Sequence, residues 1–208
     1  MWLGQMSIKW SIEKPFFIDQ FESTVGEYKK YLDSLGRVPK RDLTPAYLEQ
    51  AELPRHADFP VVGVTWRQAS LYCKAMGKRL PTGAEWKMAA VRKGNEKAGP
   101  GDLPLLDLDQ LGKSQSSTKI ELPAPFFVYE QGLRKVGSNP EDVSAYGVND
   151  MASSVSEWLA WTNKESNARD LIGRLPKILG PASFSNTLVE DHGGRFWLGF
   201  RCAKDIAQ

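Results

Sequence analysis

Among 208 residues there are only two cysteines, Cys73 and Cys202, and two histidines, His56 and His192. The familiar zinc-ligand spacings HExxH and Cys-x-x-Cys are absent, as are Gly-x-Ser-x-Gly and the phosphate loop. No apolar run approaches the ~20 residues that a membrane-spanning helix needs. Formal net charge is +2, with Lys and Arg scattered among Asp and Glu. Without a basic block or a basic amphipathic helix, the footprints of nucleic-acid and membrane-surface binding are missing. Met1-Trp2-Leu3-Gly4-Gln5-Met6 is too short and too quickly interrupted for the apolar region of a signal peptide. Two cysteines neither demand nor forbid an oxidising compartment.

What remains is 41% hydrophobic and 25% charged, enough for one globular domain with a core. Eighteen glycines and thirteen prolines predict a loop-rich fold. Pro15 to Phe21 reads as an aromatic-rich strand. A helix follows from Thr24, whose capping-box partner is Glu27, with Val25, Tyr28, Tyr31, Leu32 and Leu35 at helical spacing and Gly36 as the stop. A short helix is expected near Pro45 to Leu53. Val61-Val62-Gly63-Val64 leads to Thr65, the cap of a second helix with Trp66, Ala69, Cys73 and Met76 on one face.

Gly77-Lys78-Arg79-Leu80-Pro81-Thr82-Gly83-Ala84-Glu85-Trp86 is the most specific segment. Gly77 suits a left-handed helix stop, Pro81 blocks continuation, and Thr82 with Glu85 forms the next capping box. A third helix is predicted over Gly83 to Arg92. Residues 93–125 form a long surface excursion within a single domain covering residues 1–208. Strands are expected at Phe126 to Tyr129 and Arg134 to Gly137. The last strand, Arg195 to Cys202, alternates Phe196, Leu198, Phe200 and Cys202 with a mixed face of Arg195, Trp197, Gly199 and Arg201.

The 77–86 segment resembles the GKRLPTEAEWE signature of the formylglycine-generating enzyme family, the sulfatase-modifying-factor domain. Three further segments follow in the family's order. Phe16-Phe17-Ile18-Asp19-Gln20-Phe21-Glu22-Ser23-Thr24 resembles its opening. Phe59-Pro60-Val61-Val62-Gly63-Val64-Thr65-Trp66, with Ala69, Tyr72 and Cys73, runs into the signature. Val136-Gly137-Ser138, Tyr146-Gly147-Val148-Asn149-Asp150-Met151-Ala152 and Glu157-Trp158 precede the closing Leu198-Gly199-Phe200-Arg201-Cys202. The resemblance implies an α+β fold, a variant of the C-type-lectin fold with a few helices around a twisted antiparallel sheet.

The family's oxidases carry a cysteine pair in the final stretch before the closing motif, and paired thiolates suit copper(I). Here Phe184 to Gly199 contains no cysteine. The resemblance therefore implies a catalytically silent member with no catalytic residue and no cofactor, copper least of all. Ser154 and Glu157 are the only calcium candidates, because serines at 153 and 154 replace the usual glycine and asparagine; the alternative is that Glu157 and Trp158 only complete the core.

Asp191-His192-Gly193-Gly194 lies where the family builds its site, although such a run is more often a turn. His56, after Pro54-Arg55, is expected in an exposed loop. Trp66, Trp86 and Trp158 belong to family motifs and are assigned to the core; Trp2, Trp161 and Trp197 are less constrained. Trp197 between Arg195 and Arg201 is either a binding hot spot or a structural arginine stack. The candidate partner-binding residues are thus Asp191, His192, Arg195, Trp197, Trp161 and Arg201, beside the 93–125 excursion. The expected function is a non-catalytic binding or scaffolding domain with a protein partner. The resemblance favours a periplasmic or cell-envelope assembly in bacteria. The competing reading is an enzyme of non-copper chemistry, acting on a peptide or a thiol-containing substrate near Asp191 to Trp197. Lectin-like sugar binding lacks its usual ligand runs.

Overall fold

The computed structural model describes residues 14–37, 40–91, 128–131, 133–160, 168–173, 187–190 and 195–206. The expected excursion at 93–125 lies outside them. Three helices have the sequence-predicted starts. Helix α1 spans Val25–Ser34, α2 spans Trp66–Ala75 and α3 spans Gly83–Ala89, and Thr24, Thr65 and Thr82 each cap one in a complete capping box. In each box the threonine oxygen and the third-position carboxylate or amide satisfy backbone N–H groups that the first turn leaves unpaired. Gly36 and Gly77 lie just beyond α1 and α2 at φ of 61° and 69°, the left-handed values that favour glycine.

The strands are short. β1 (Phe16–Ile18) pairs antiparallel with β6 (Ala203–Asp205), Phe17 opposite Lys204. A second sheet has the order β4-β3-β2-β5, formed by β2 (Ser156–Trp158), β3 (Ala168–Ile172), β4 (Thr187–Glu190) and β5 (Leu198–Gly199). Its β2–β3 and β3–β4 pairings are antiparallel, whereas β2 and β5 run parallel.

Several elements differ from the sequence expectation. Tyr129 belongs to a short helix, α4 (Val128–Gln131), not to a strand. Arg134 to Gly137 forms no strand; it ends in a turn where Gly137, at φ 69°, gives its N–H to the Asp150 carboxylate. The stretch near Pro45 to Leu53 holds a single 3₁₀ turn, Leu48–Gln50. Helix α3 stops at Ala89, three residues before the expected Arg92.

The predicted last strand is the most instructive difference. Its backbone serves several neighbours in succession. The Trp197 carbonyl accepts from Ser156, Leu198 from Gly63, Phe200 from Ser23, and Cys202 from Asp19. A chain threaded through the middle cannot remain one flat strand, and beyond exposed Arg195 neither face is solvated: Phe196, Trp197, Leu198, Phe200, Arg201 and Cys202 are all buried. Period-two alternation signals a half-exposed strand only when one face meets water.

The larger core cluster joins α1 (Val25, Tyr28, Tyr31), Val61, Val62 and Val64, α2 (Ala69, Tyr72, Cys73) and the closing segment. Tyr28 and Tyr72 stack with centroids 5.3 Å apart, and Phe200 meets both edge-on. Gly63, at φ 74°, has the Tyr47 ring where a β-carbon would stand. Met76, expected on the buried face of α2, is exposed, and Tyr72 faces inward. The second cluster packs α3 (Trp86, Ala89, Ala90) against Val148, Met151, Leu159 and Ile172. The tryptophans of the family motifs tie segments together: Trp66 donates to the Leu159 carbonyl, Trp158 to the Val64 carbonyl and Trp86 to Glu157. Among the described residues no helix is long and apolar enough to cross a membrane.

Candidate functional site

The motif-bearing segments meet at Arg201. Its side chain is fully buried and every donor of its guanidinium has an acceptor. Nε donates to the Glu157 carboxylate at 2.9 and 3.0 Å, Nη1 to the carbonyls of Asp19 and Gln20, and Nη2 to the Asn149 carbonyl and to Glu157 Oε1 at 2.8 Å. Glu157 Oε2 also accepts from Trp86 Nε1 at 2.9 Å. One fork thus joins the β1 exit, the 149–150 loop, β2 and α3. Charge-assisted bonds of this kind are strong, and the geometry is specific to arginine.

Two further carboxyl groups lie around this pair. Asp150 holds a left-handed backbone, φ 62°, and accepts from the Gly137 amide. Burial pushes its carboxyl up, and the Gly137 amide and Arg201 pull against that. Glu22 is buried on all sides, with Oε2 3.7 Å from Arg201 Nη2 and no hydrogen-bond partner for either oxygen. Burial drives it up to about 8 against the pull of Arg201, with Glu157 and Asp150 adding to the rise.

Next to Arg201, Cys202 is joined to Cys73 of α2 by a disulfide, and both are fully buried. The chain's two cysteines are therefore spent on each other. A copper(I) dithiolate does not fit these residues, since the bonded sulfurs are neither thiolates nor exposed. Calcium at Glu157 does not fit either. Both of its oxygens already accept from Arg201 and Trp86, and a guanidinium occupies the place a cation would take. Ser154 is half-buried and lies near Glu22 rather than at an open acidic site. Among the described residues, no group of three or more His, Cys, Asp or Glu is placed to hold a metal ion.

Of the expected contact residues, the described ones are Arg195, Trp197 and Arg201. Arg201, placed in that group by its neighbours in sequence, is instead the central cation of the core. Trp197 is 8% exposed, and Arg195, on the surface, lays its guanidinium 5.4 Å from the centre of the Trp197 ring. The pairing of arginine and tryptophan is intramolecular, and the arginine's outer face stays in solvent. Asp191, His192 and Trp161 lie outside the described residues.

His56 was expected in an exposed loop and is only 2% exposed. Its Nδ1 accepts from the Glu52 amide at 3.0 Å, its ring stacks on Tyr129, and Nε2 stands 3.2 Å from Oε1 of Glu130, whose Oε2 accepts from Arg55. It fastens α4 to the body. Neither this role nor that of Glu22 has a signal in the sequence, because loop composition says nothing about what packs over the loop.

A small-sheet α+β domain with a disulfide-locked core, an arginine at the crossing of its motifs and no free thiol is a scaffold of the formylglycine-generating-enzyme type. Residues 7–206 match the sulfatase-modifying factor enzyme 1-like domain. The protein belongs to that family. It is 32% identical over 142 residues to the serine/threonine-protein kinase pkn1 of Chlamydia caviae, covering 68% of this chain and 20% of the kinase. It is 34% identical over 168 residues to the inactive C-alpha-formylglycine-generating enzyme 2 of Bos taurus, covering 70% of this chain and 50% of the bovine protein. The chain thus spans about a fifth and a half of these relatives' lengths. The fold is also that of PvdO from Pseudomonas aeruginosa, with a TM-score of 0.58 at 23% identity over 93% of this chain and 81% of PvdO.

Proposed function

We propose that this domain is a non-catalytic binding module that holds a protein partner through its loops, within an assembly of the bacterial cell envelope. The observation that carries the proposal is the fate of the sulfurs. Both cysteines of the chain lie in one buried disulfide, so no thiol is left to bind copper or to attack a substrate. Similarity to a relative named as an inactive formylglycine-generating enzyme supports the same reading. The likeness to a stretch covering a fifth of a kinase suits a recognition module within longer chains. The disulfide suits an oxidising compartment such as the periplasm.

The fold supplies a rigid frame on which loops vary at little cost to stability. The proposed contact surface centres on exposed Arg195, with Asp191 and His192 preceding it in sequence and Trp161 and the 93–125 stretch as further contributors. Trp197 supports Arg195 from beneath.

The test has two arms. Tagged protein at endogenous level is affinity-purified from its native source, as wild type and as Arg195→Glu. The expected result is a defined co-purifying chain that the charge reversal releases. In the second arm the purified protein is incubated with copper(I), oxygen and a cysteine-containing peptide. Conversion of that cysteine to an aldehyde, or stoichiometric copper(I) binding, would overturn the proposal.

A further inference from the structure

Glu22 is the one described carboxylate that is both fully enclosed and without a hydrogen-bond partner. The reason lies in Arg201. A guanidinium has five N–H donors, and here they go to Glu157, Asp19, Gln20 and Asn149. None remains for Glu22, although Nη2 is only 3.7 Å away. The positive charge is likewise spoken for by the bidentate Glu157. The other groups facing Glu22 are Glu157 from β2, Asp150 from the loop before it and the Ser154 hydroxyl. The first two repel an anion. Ser154 lies close to Glu22 without hydrogen-bond geometry. An ionised Glu22 here would be a buried charge without a counter-ion of its own, which proteins avoid by keeping the proton.

We propose that Glu22 is held as a neutral carboxylic acid in the folded core, and that its ionisation is a built-in destabilising response to rising pH. The proton on Glu22 lets the Arg201–Glu157 pair be the only full ion pair at the crossing of the motifs. Removing it forces a further anion against Glu157 and Asp150. The affected junction is where Ser23 is bonded to Phe200 and Val61, so strain there is felt at the centre of the larger core.

The sign follows from proton linkage. Burial raises Glu22 from 4.5 to about 8 in the folded chain. The stabilisation from its protonated form is complete below the unfolded value, and is lost as pH rises from there through the folded value. Over that window the folding constant falls about tenfold per pH unit from this group alone.

Denaturant unfolding of the wild type and of Glu22→Gln, from pH 5 to pH 9, isolates that contribution. The expected result is a wild-type folding constant that falls more steeply than the variant's by about one proton's slope up to pH 8, with the variant the more stable above it. Infrared spectra of wild-type protein carrying ¹³C-labelled glutamate carboxyls need no substitution. They should show one carboxylic-acid carbonyl band at pH 6 that disappears on going to pH 9. Parallel stability curves for the two proteins, or fully ionised glutamates at pH 6, would overturn the proposal.

Discussion

Cys73 and Cys202 are 129 residues apart in sequence and joined by a disulfide, with Cα atoms 5.6 Å apart. The bond fastens α2 to the residue that follows the central arginine. It links the second motif segment to the last, and it closes 129 of the 208 residues into one loop.

Opening that loop should be costly. Restricting the unfolded chain over so long a span is worth about 2–5 kcal/mol. The Cys73→Ala, Cys202→Ala double variant is expected to lose that much in guanidinium unfolding. Non-reducing peptide mapping of the wild type should find the two cysteine peptides linked; two free thiols in the native protein would contradict the structure.

Arg201 and Glu157 should not tolerate separate removal. Glu157→Gln leaves the guanidinium without its counter-charge, and Arg201→Lys cannot serve the carbonyls of Asp19, Gln20 and Asn149 while also forking on Glu157. Breaking one side of a buried pair costs about 3–5 kcal/mol. Each single variant is expected to unfold at markedly lower denaturant or fail to accumulate. A loss under 1 kcal/mol in either would mean that the pair is not the centre of the core.

The acid limb of stability has a different source. Burial raises the Glu85 carboxyl, but the paired bonds from Arg79 and the Thr82 cap outweigh it, and the net shift is downward. A lowered folded value contributes stability that is present above the unfolded value and is lost as pH falls through the folded one. Glu85→Gln keeps the capping box and removes the ion pair. It should be less stable than wild type at pH 7, and the difference should narrow as the pH falls below the ordinary glutamate range. Urea midpoints taken from pH 2.5 to pH 7 would show it; a constant difference across that range would rule the ion pair out as the cause.

His56 predicts a local effect. Replacing it by Ala removes the acceptor for the Glu52 amide and the partner of Glu130, and it uncovers the Tyr129 ring. Losing the hydrogen bond of this partly buried amide costs about 0.5–1.5 kcal/mol. Hydrogen exchange should speed up at Glu52 and across α4 while α1 and α2 keep their protection. Uniform acceleration everywhere would indicate that α4 is not a separately fastened element.

The helices were legible because their information is local. A threonine followed three residues later by Glu or Gln satisfies backbone N–H groups within the same turn, so Thr24, Thr65 and Thr82 mark their helices without reference to the rest of the chain. The segment from Arg195 to Cys202 misled for the complementary reason. Its alternating pattern fits a half-exposed strand, but beyond Arg195 other segments bury both faces, and which segments do so is not written into those residues. Arg201 is the sharpest case: arginine among aromatic residues reads as a contact surface until Glu157 is seen to face it.

The chain by itself settled the family, the helix starts and the shortage of sulfur, because motif spacing, capping residues and a count of cysteines need no third dimension. Tertiary structure alone decided that the remaining sulfurs bind each other, that Arg201 is sealed inside, and that Glu22 beside it has no donor left. Those outcomes depend on which distant segments compete for a finite set of N–H groups and for the few places shielded from water, and only the folded chain brings those competitors together.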